Sequence, residues 1–109
     1  MIMELLGHED YLRILLSLRK EGGLRFSQIE KLLGLNPTEV DRALKFLRKG
    51  LWVVPHTISA EKGRILVEYR LGKRGAAFLE SFKTFTADVQ RRKAALGPSE
   101  VAQFQSLYR

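Results

Sequence analysis

Along most of the chain apolar residues recur at the three- and four-residue spacing of helices, and in one stretch the period drops to two. From about His8 to Lys20 the spacing predicts a first helix, with Leu12, Leu15, Leu16 and either Ile14 or Leu18 on its buried stripe. Glu21-Gly22-Gly23 ends it, because glycine adopts the left-handed conformation that closes a helix. Ser27-x-x-Glu30 in "FSQIEKLLG" has the form of a capping box, and the helix it opens is expected to bury Ile29, Leu32 and Leu33. Gly34 stops that helix after about two turns. Asn36 then caps a third helix, with Pro37 in its first turn and Glu39 three residues on, where its charge also suits the dipole. Val40, Ala43, Leu44 and Leu47 make this helix's buried face. Two short helices joined only by Gly34-Leu35-Asn36 must cross steeply, with Leu35 plugged between them, which is the helix-turn-helix construction.

Beyond Gly50 the period changes. "LWVVPHTIS" (Leu51–Ser59) and "RILVEYRL" (Arg64–Leu71) are rich in β-branched and aromatic residues and flank the polar "AEKG", so they predict a β-hairpin with Lys62 and Arg64 at or beside its tip. Pro55 cannot donate to a ladder, so the first strand either lies at an edge or bends there. His56 beside it reads as a surface strand residue, and Trp52 as core. A long helix follows from about Lys73 to Ala95, carrying Phe78, Leu79, Phe82, Phe85 and Val89. Gly97-Pro98-Ser99 breaks it, and Ser99 can cap a last short helix bearing Val101, Phe104, Leu107 and Tyr108. The fold class expected is mainly α with a small β-hairpin, an α+β arrangement.

A chain of 109 residues suffices for one domain with a modest core. Its hydrophobic fraction of 45% and charged fraction of 28% are those of a soluble globular protein. No run nears the roughly 18 apolar residues of a membrane helix, and "MIMELLGHED" lacks the cationic start of a signal peptide. A cytoplasmic protein with no membrane partner is expected. With no cysteine, disulfides and thiolate metal sites are excluded.

Charge changes the picture more. The formal net charge is +7, and it is not evenly spread. Residues 1–35 hold five cations and five anions, whereas residues 36–75 hold nine cations and four anions. The third helix lies at the start of that basic stretch, with Thr38, Arg42, Lys45 and Lys49 at i, i+4, i+7 and i+11 on the face opposite its apolar one. A solvated helix face is the bland explanation; concentration of the surplus favours a polyanionic partner.

Helix, helix-turn-helix and hairpin follow the winged helix-turn-helix plan. From about Leu12 to Phe82 the chain resembles the HxlR- and MarR-type transcription regulators, of archaeal type. The matching elements are "LRFSQIEKLLG", the exit "ALKFLRKGL" from the third helix, and "VEYRLGKRGAAFL" from the return strand into the next helix. Gly72 departs from the pattern, standing where relatives often carry a Thr or Ser cap, and the reactive cysteine of some HxlR-type sensors is absent.

The resemblance and the residues together imply double-stranded DNA as the partner. The recognition helix, about 37–49, would enter the major groove, with Thr38 and Arg42 placed for base edges and Lys45 and Lys49 for phosphates. A wing at about 59–65 would bring Lys62 and Arg64 to the minor groove or the backbone. Glu39 and Asp41 oppose this unless each accepts from a cytosine or pairs with a cation. Phe46 lies off the buried stripe, and the sequence leaves open whether it meets the wing, a partner subunit or nothing.

The long helix and the last one present more apolar surface than one small domain covers, so a homodimer is expected through Phe82, Phe85, Val89, Val101, Phe104 and Tyr108. Terminal helices are also where the resemblance puts dimerisation; the alternative is a last helix folded back over the long one. Residues 1–75 would then form the DNA-binding part and 76–109 the dimerisation helices. No catalytic constellation stands out: His8 and His56 lie in different elements, and "GKRG" at Gly72–Gly75 is too short for a phosphate loop. His8, Glu9 and Asp10 read as an acidic helix start rather than a metal site, and neither enzyme activity nor a cofactor is expected. The rival reading is a winged helix serving as a protein-interaction module of the transcription machinery.

Overall fold

A computed structural model describes residues 2–59 and 63–92. The order of elements is α1 (Ile2–Leu6), α2 (Glu9–Glu21), β1 (Leu24–Arg25), α3 (Phe26–Leu33), α4 (Pro37–Lys49), β2 (Val53–Ser59), β3 (Ile65–Leu71) and α5 (Lys73–Arg91). The chain divides into two units, residues 1–77 and 78–109.

In the first unit, α2 is the central helix. Tyr11, Leu12, Ile14, Leu15 and Leu18 are all buried, so Ile14 and Leu18 both belong to the stripe, while the expected Leu16 is only half-buried. Its charges suit its dipole, with Glu9 and Asp10 in the first turn and Arg19 and Lys20 in the last. Gly22 closes it at φ 83°, its N–H donating to the Leu18 carbonyl. His8 stands outside the helix as its extended N-cap, and Gly7 separates it from the short α1, which buries Leu5.

The sheet has three strands, not the two of the expected hairpin. β2 and β3 pair antiparallel from Val53↔Leu71 to Ser59↔Ile65, and β1 adds to the other side of β3 through Leu24↔Tyr69 and Arg25↔Glu68. β2 is therefore an edge strand, which explains how Pro55 is tolerated within it. His56 is exposed on that strand.

Pairing of β1 also moves the start of α3. The helix begins at Phe26, with Arg25 as N-cap, so Ser27 lies inside the first turn and the expected Ser27–Glu30 box does not form. Gln28 serves instead, its Oε1 accepting from the Arg25 N–H at 2.8 Å. Only Ile29 is fully buried; Leu33 is half-buried and Leu32 is 52% exposed. Successive residues turn about 100° around a helix axis, and with Ile29 centred on the core Leu32 falls further round the flank than Leu33.

Gly34, at φ 66°, ends α3, and α4 starts three residues later. Both halves of its capping box are present: Glu39 N–H donates to Asn36 Oδ1 at 2.8 Å, and Asn36 N–H to Glu39 Oε1 at 3.0 Å. Val40, Ala43, Leu44 and Leu47 are buried as their spacing predicts. α2 and α3 are tied as well, Arg13 donating to the Leu33 carbonyl at 3.0 Å.

Where α4 ends the chain turns sharply. Leu51 has φ 60°, the one non-glycine at positive φ among the described residues, and the next residue, Trp52, is 2% exposed. The start of α5 is seated against this turn. Gly72 N–H donates to the Trp52 carbonyl at 2.9 Å. A Cβ on Gly72 would lie 2.4 Å from the Leu51 carbonyl oxygen, and one on Gly75 2.2 Å from that of Trp52. The departure of Gly72 from the expected Thr or Ser thus has a steric cause: a side chain there has no room.

In the second unit, α5 runs on from Phe78 to Arg91. The rings of Phe78, Phe82 and Phe85 follow one another at 5.8 Å and 6.5 Å between centroids. Leu79 is buried, Phe82 and Val89 are half-buried, and Phe85 is 52% exposed. The expected extension of this helix to Ala95 and the last helix, with Val101, Phe104, Leu107 and Tyr108, lie outside the described residues.

Candidate nucleic-acid interface

The helix that the capping box of Asn36 starts is held by four buried aliphatic residues, so its opposite face is fixed without contributing to the core. Thr38, Arg42, Lys45 and Lys49 are all exposed on it. The two acids on α4 that oppose an anionic partner, Glu39 and Asp41, are both engaged. Glu39 is half-buried and bonded within the capping box, and Asp41 pairs with Lys45 at 2.9 Å. The side chains of that pair are 75% and 54% exposed, so water screens it and Lys45 can exchange its carboxylate for another anion at little cost.

Two clefts flank the exposed row. One, of about 370 Å³, lies between α4 and β2, where Lys45, Arg48 and Lys49 stand over a floor of Leu51, Val53, Val54 and Pro55. Arg48 was not among the residues singled out from the sequence. It sits one residue off the stripe, and the signal available was the i, i+3, i+4 spacing of Lys45, Arg48 and Lys49.

The second cleft, of about 710 Å³, is lined by Arg42, Lys45, Lys49 and Arg74, with Glu4, His8, Tyr11, Phe46 and Gly50. Its wall is aromatic: His8 stacks on Tyr11 at 4.4 Å, and Tyr11 on Phe46 at 4.9 Å. This answers the question left by Phe46, whose partner is Tyr11 of α2. Arg74 also went unnoticed in the sequence. Its Nη1 donates to the Gly50 carbonyl at 2.8 Å, and its guanidinium carbon lies 3.9 Å from the centre of the Trp52 ring. Nothing local to "GKRG" foretells a contact made across 24 residues.

At the wing, Arg64 is exposed next to Gly63, which has φ 72°. Lys62 lies outside the described residues. Among the described residues no three His, Asp or Glu side chains gather where a metal ion could be held.

A three-helix core with a helix-turn-helix, an exposed second helix and a β-wing is the winged helix-turn-helix fold, and the solved structures similar to this chain include Escherichia coli MarR and other transcriptional regulators. The YusO protein of Bacillus subtilis superposes with a TM-score of 0.66 at 24% identity, over 97% of this chain and 75% of its own. A transcriptional regulator homologue from Pyrococcus horikoshii gives 0.61 at 26% identity, over 79% and 88%. A mutant of Escherichia coli MarR complexed with operator DNA gives 0.62 at 22% identity, over 90% and 70%. Neither a known protein family nor a curated protein matches the sequence.

Proposed function

We propose that the chain is a sequence-specific regulator of transcription that binds double-stranded DNA as a homodimer. The observation that carries this is the exposed row on α4, four donors whose acidic neighbours on the helix, Glu39 and Asp41, are both engaged, on a fold that MarR uses with operator DNA. α4 would lie in the major groove, with Thr38 and Arg42 at base edges and Lys45, Arg48 and Lys49 at phosphates. The wing, with Arg64 and Lys62, would follow the minor groove or the adjoining backbone. Residues 1–75 form the DNA-binding part in this reading, and residues 76–109 the dimerisation helices. No helix among the described residues is long and apolar enough to cross a membrane, and a cytoplasmic regulator needs none.

Selection of bound duplexes from a random pool at moderate salt tests the proposal. A recovered palindrome with half-sites about one helical turn, ~34 Å, apart supports a symmetric DNA reader. Recovery of no duplex favours the protein-interaction module instead. Within the selected site, Arg42→Ala is expected to weaken binding by about 1–3 kcal/mol and to blur one base position, because an arginine fork reads guanine O6 and N7 together. Lys49→Ala should weaken all sequences alike. An unchanged sequence preference in the Arg42 variant refutes its base-reading role.

The dimer rests on Phe82, Phe85 and Val89, which share a face of α5, and on Val101, Phe104 and Tyr108 beyond the described residues. An exposed phenylalanine such as Phe85 is a surface that a second copy can cover. Sedimentation equilibrium of the full chain at micromolar concentration should give twice the monomer mass, and Phe85→Asp should shift it toward the monomer. A monomeric full-length chain overturns this part of the proposal.

A further inference from the structure

The geometry points to Arg74 as a positioning residue for DNA reading, acting through the exit of α4. This inference rests on the DNA-binding role proposed above. Arg74 sits in the first turn of α5, yet both of its contacts are with the far side of the turn that follows α4. One is the hydrogen bond at 2.8 Å to the carbonyl of Gly50, the residue that caps α4. The other is the face of Trp52, 3.9 Å below the guanidinium and itself 2% exposed.

That carbonyl is one of the last orphan acceptors of the helix, lying at the negative end of its dipole, so a cation donating to it fixes the helix end. Trp52 supplies a well-held base, because its ring is buried and its backbone N–H donates to the Leu47 carbonyl at 2.9 Å. Arg74 therefore bridges a buried ring and the terminus of α4, whose exposed face carries Arg42, Lys45 and Lys49. A planar guanidinium can lie flat on a ring while donating from its edge; an ammonium is a point charge with no plane to stack, so it reproduces the bridge poorly. The same side chain lines the cationic cleft beside Lys45 and Lys49, so a direct phosphate contact is the competing role and must be separated from positioning.

The test uses the full chain, with Arg74→Met and Arg74→Lys, a duplex recovered by selection and a random duplex. For positioning, Arg74→Met should bind the selected duplex about tenfold more weakly, an effect of the size of one lost charge-assisted bond. Random duplex should change less than about twofold, and the slope of log affinity against log salt should stay that of the parent, since no phosphate contact is lost. Arg74→Lys should fail to restore the selected site. Amide exchange at Leu51 and Trp52, followed without DNA, should quicken in both variants. A slope lower by about one, with all sequences weakened alike and rescue by lysine, makes Arg74 a phosphate contact and overturns positioning. Unchanged preference in Arg74→Met overturns it too. If the parent chain binds no duplex while exchange at Leu51 and Trp52 still quickens, the DNA reading has failed and positioning with it, although the bridge itself is real.

Discussion

Affinity of the full chain for its selected duplex should fall roughly 10³–10⁵-fold as salt rises from about 50 to 200 mM. Each phosphate neutralised by a lysine or arginine releases condensed counterions, and a dimer touching about six to ten phosphates gives a loss of that order. In the proposed reading those contacts come from exposed cations. Lys45, Arg48 and Lys49 stand exposed along α4 and Arg64 at the wing, and two copies double them. Lys45 should contribute least to the slope, because it leaves Asp41 to meet the phosphate and one ion pair replaces another. Fluorescence anisotropy of a labelled duplex across a salt series measures the effect. A flat response would mean that the charge of residues 36–75 is a solvated surface and would transfer the fold to a protein partner.

Gly75→Ala should destabilise the first unit by about 3 kcal/mol, the upper end of the cost of overpacking. Two effects oppose each other here, and their sizes decide the sign. Alanine is the better helix former, by roughly 1 kcal/mol, and Gly75 lies within α5. Against that, the new methyl would sit 2.2 Å from the Trp52 carbonyl oxygen, a backbone atom that cannot rotate away. Steric repulsion at that distance exceeds the gain in propensity, so α5 or the turn at Leu51 must shift. The midpoint of thermal unfolding should drop by roughly 12–24 °C for a domain of this size. Gly34→Ala is the control. Nothing lies within 4 Å of its Cβ position, so only the left-handed backbone at φ 66° opposes alanine, at about 1 kcal/mol. Equal midpoints for the two variants would show that the seat of α5 on Trp52 is looser than these distances.

α4 was legible in the sequence almost to the residue, because everything that specifies it is local. A cap, its reciprocal glutamate, a proline and four apolar positions lie within twelve residues, Asn36 to Leu47. β1 was not legible, since two residues have no period and its existence depends on β3, more than forty positions away. The start of α3 failed for the same reason. Ser27 has the right partner in Glu30, but pairing of Arg25 with Glu68 sets where the strand ends and so where the helix begins. At the interface, the donors at helical spacing were visible as a row, and the engagement of Asp41 was foreseen as a condition. Arg74 was invisible, because its role depends on where a turn 24 residues earlier places a carbonyl and a ring.

Trp52 is the only tryptophan of the chain, and it lies buried under Arg74 at the junction where α4, the sheet and α5 meet. The ultraviolet emission of the whole protein selected at tryptophan wavelengths is therefore the emission of one indole in one place. Its band should lie toward the blue, as for a ring out of water, and should respond to the charge held over its face. A molecule so built carries its own optical probe at the exit of the helix proposed to read DNA, and needs no dye to report what happens there.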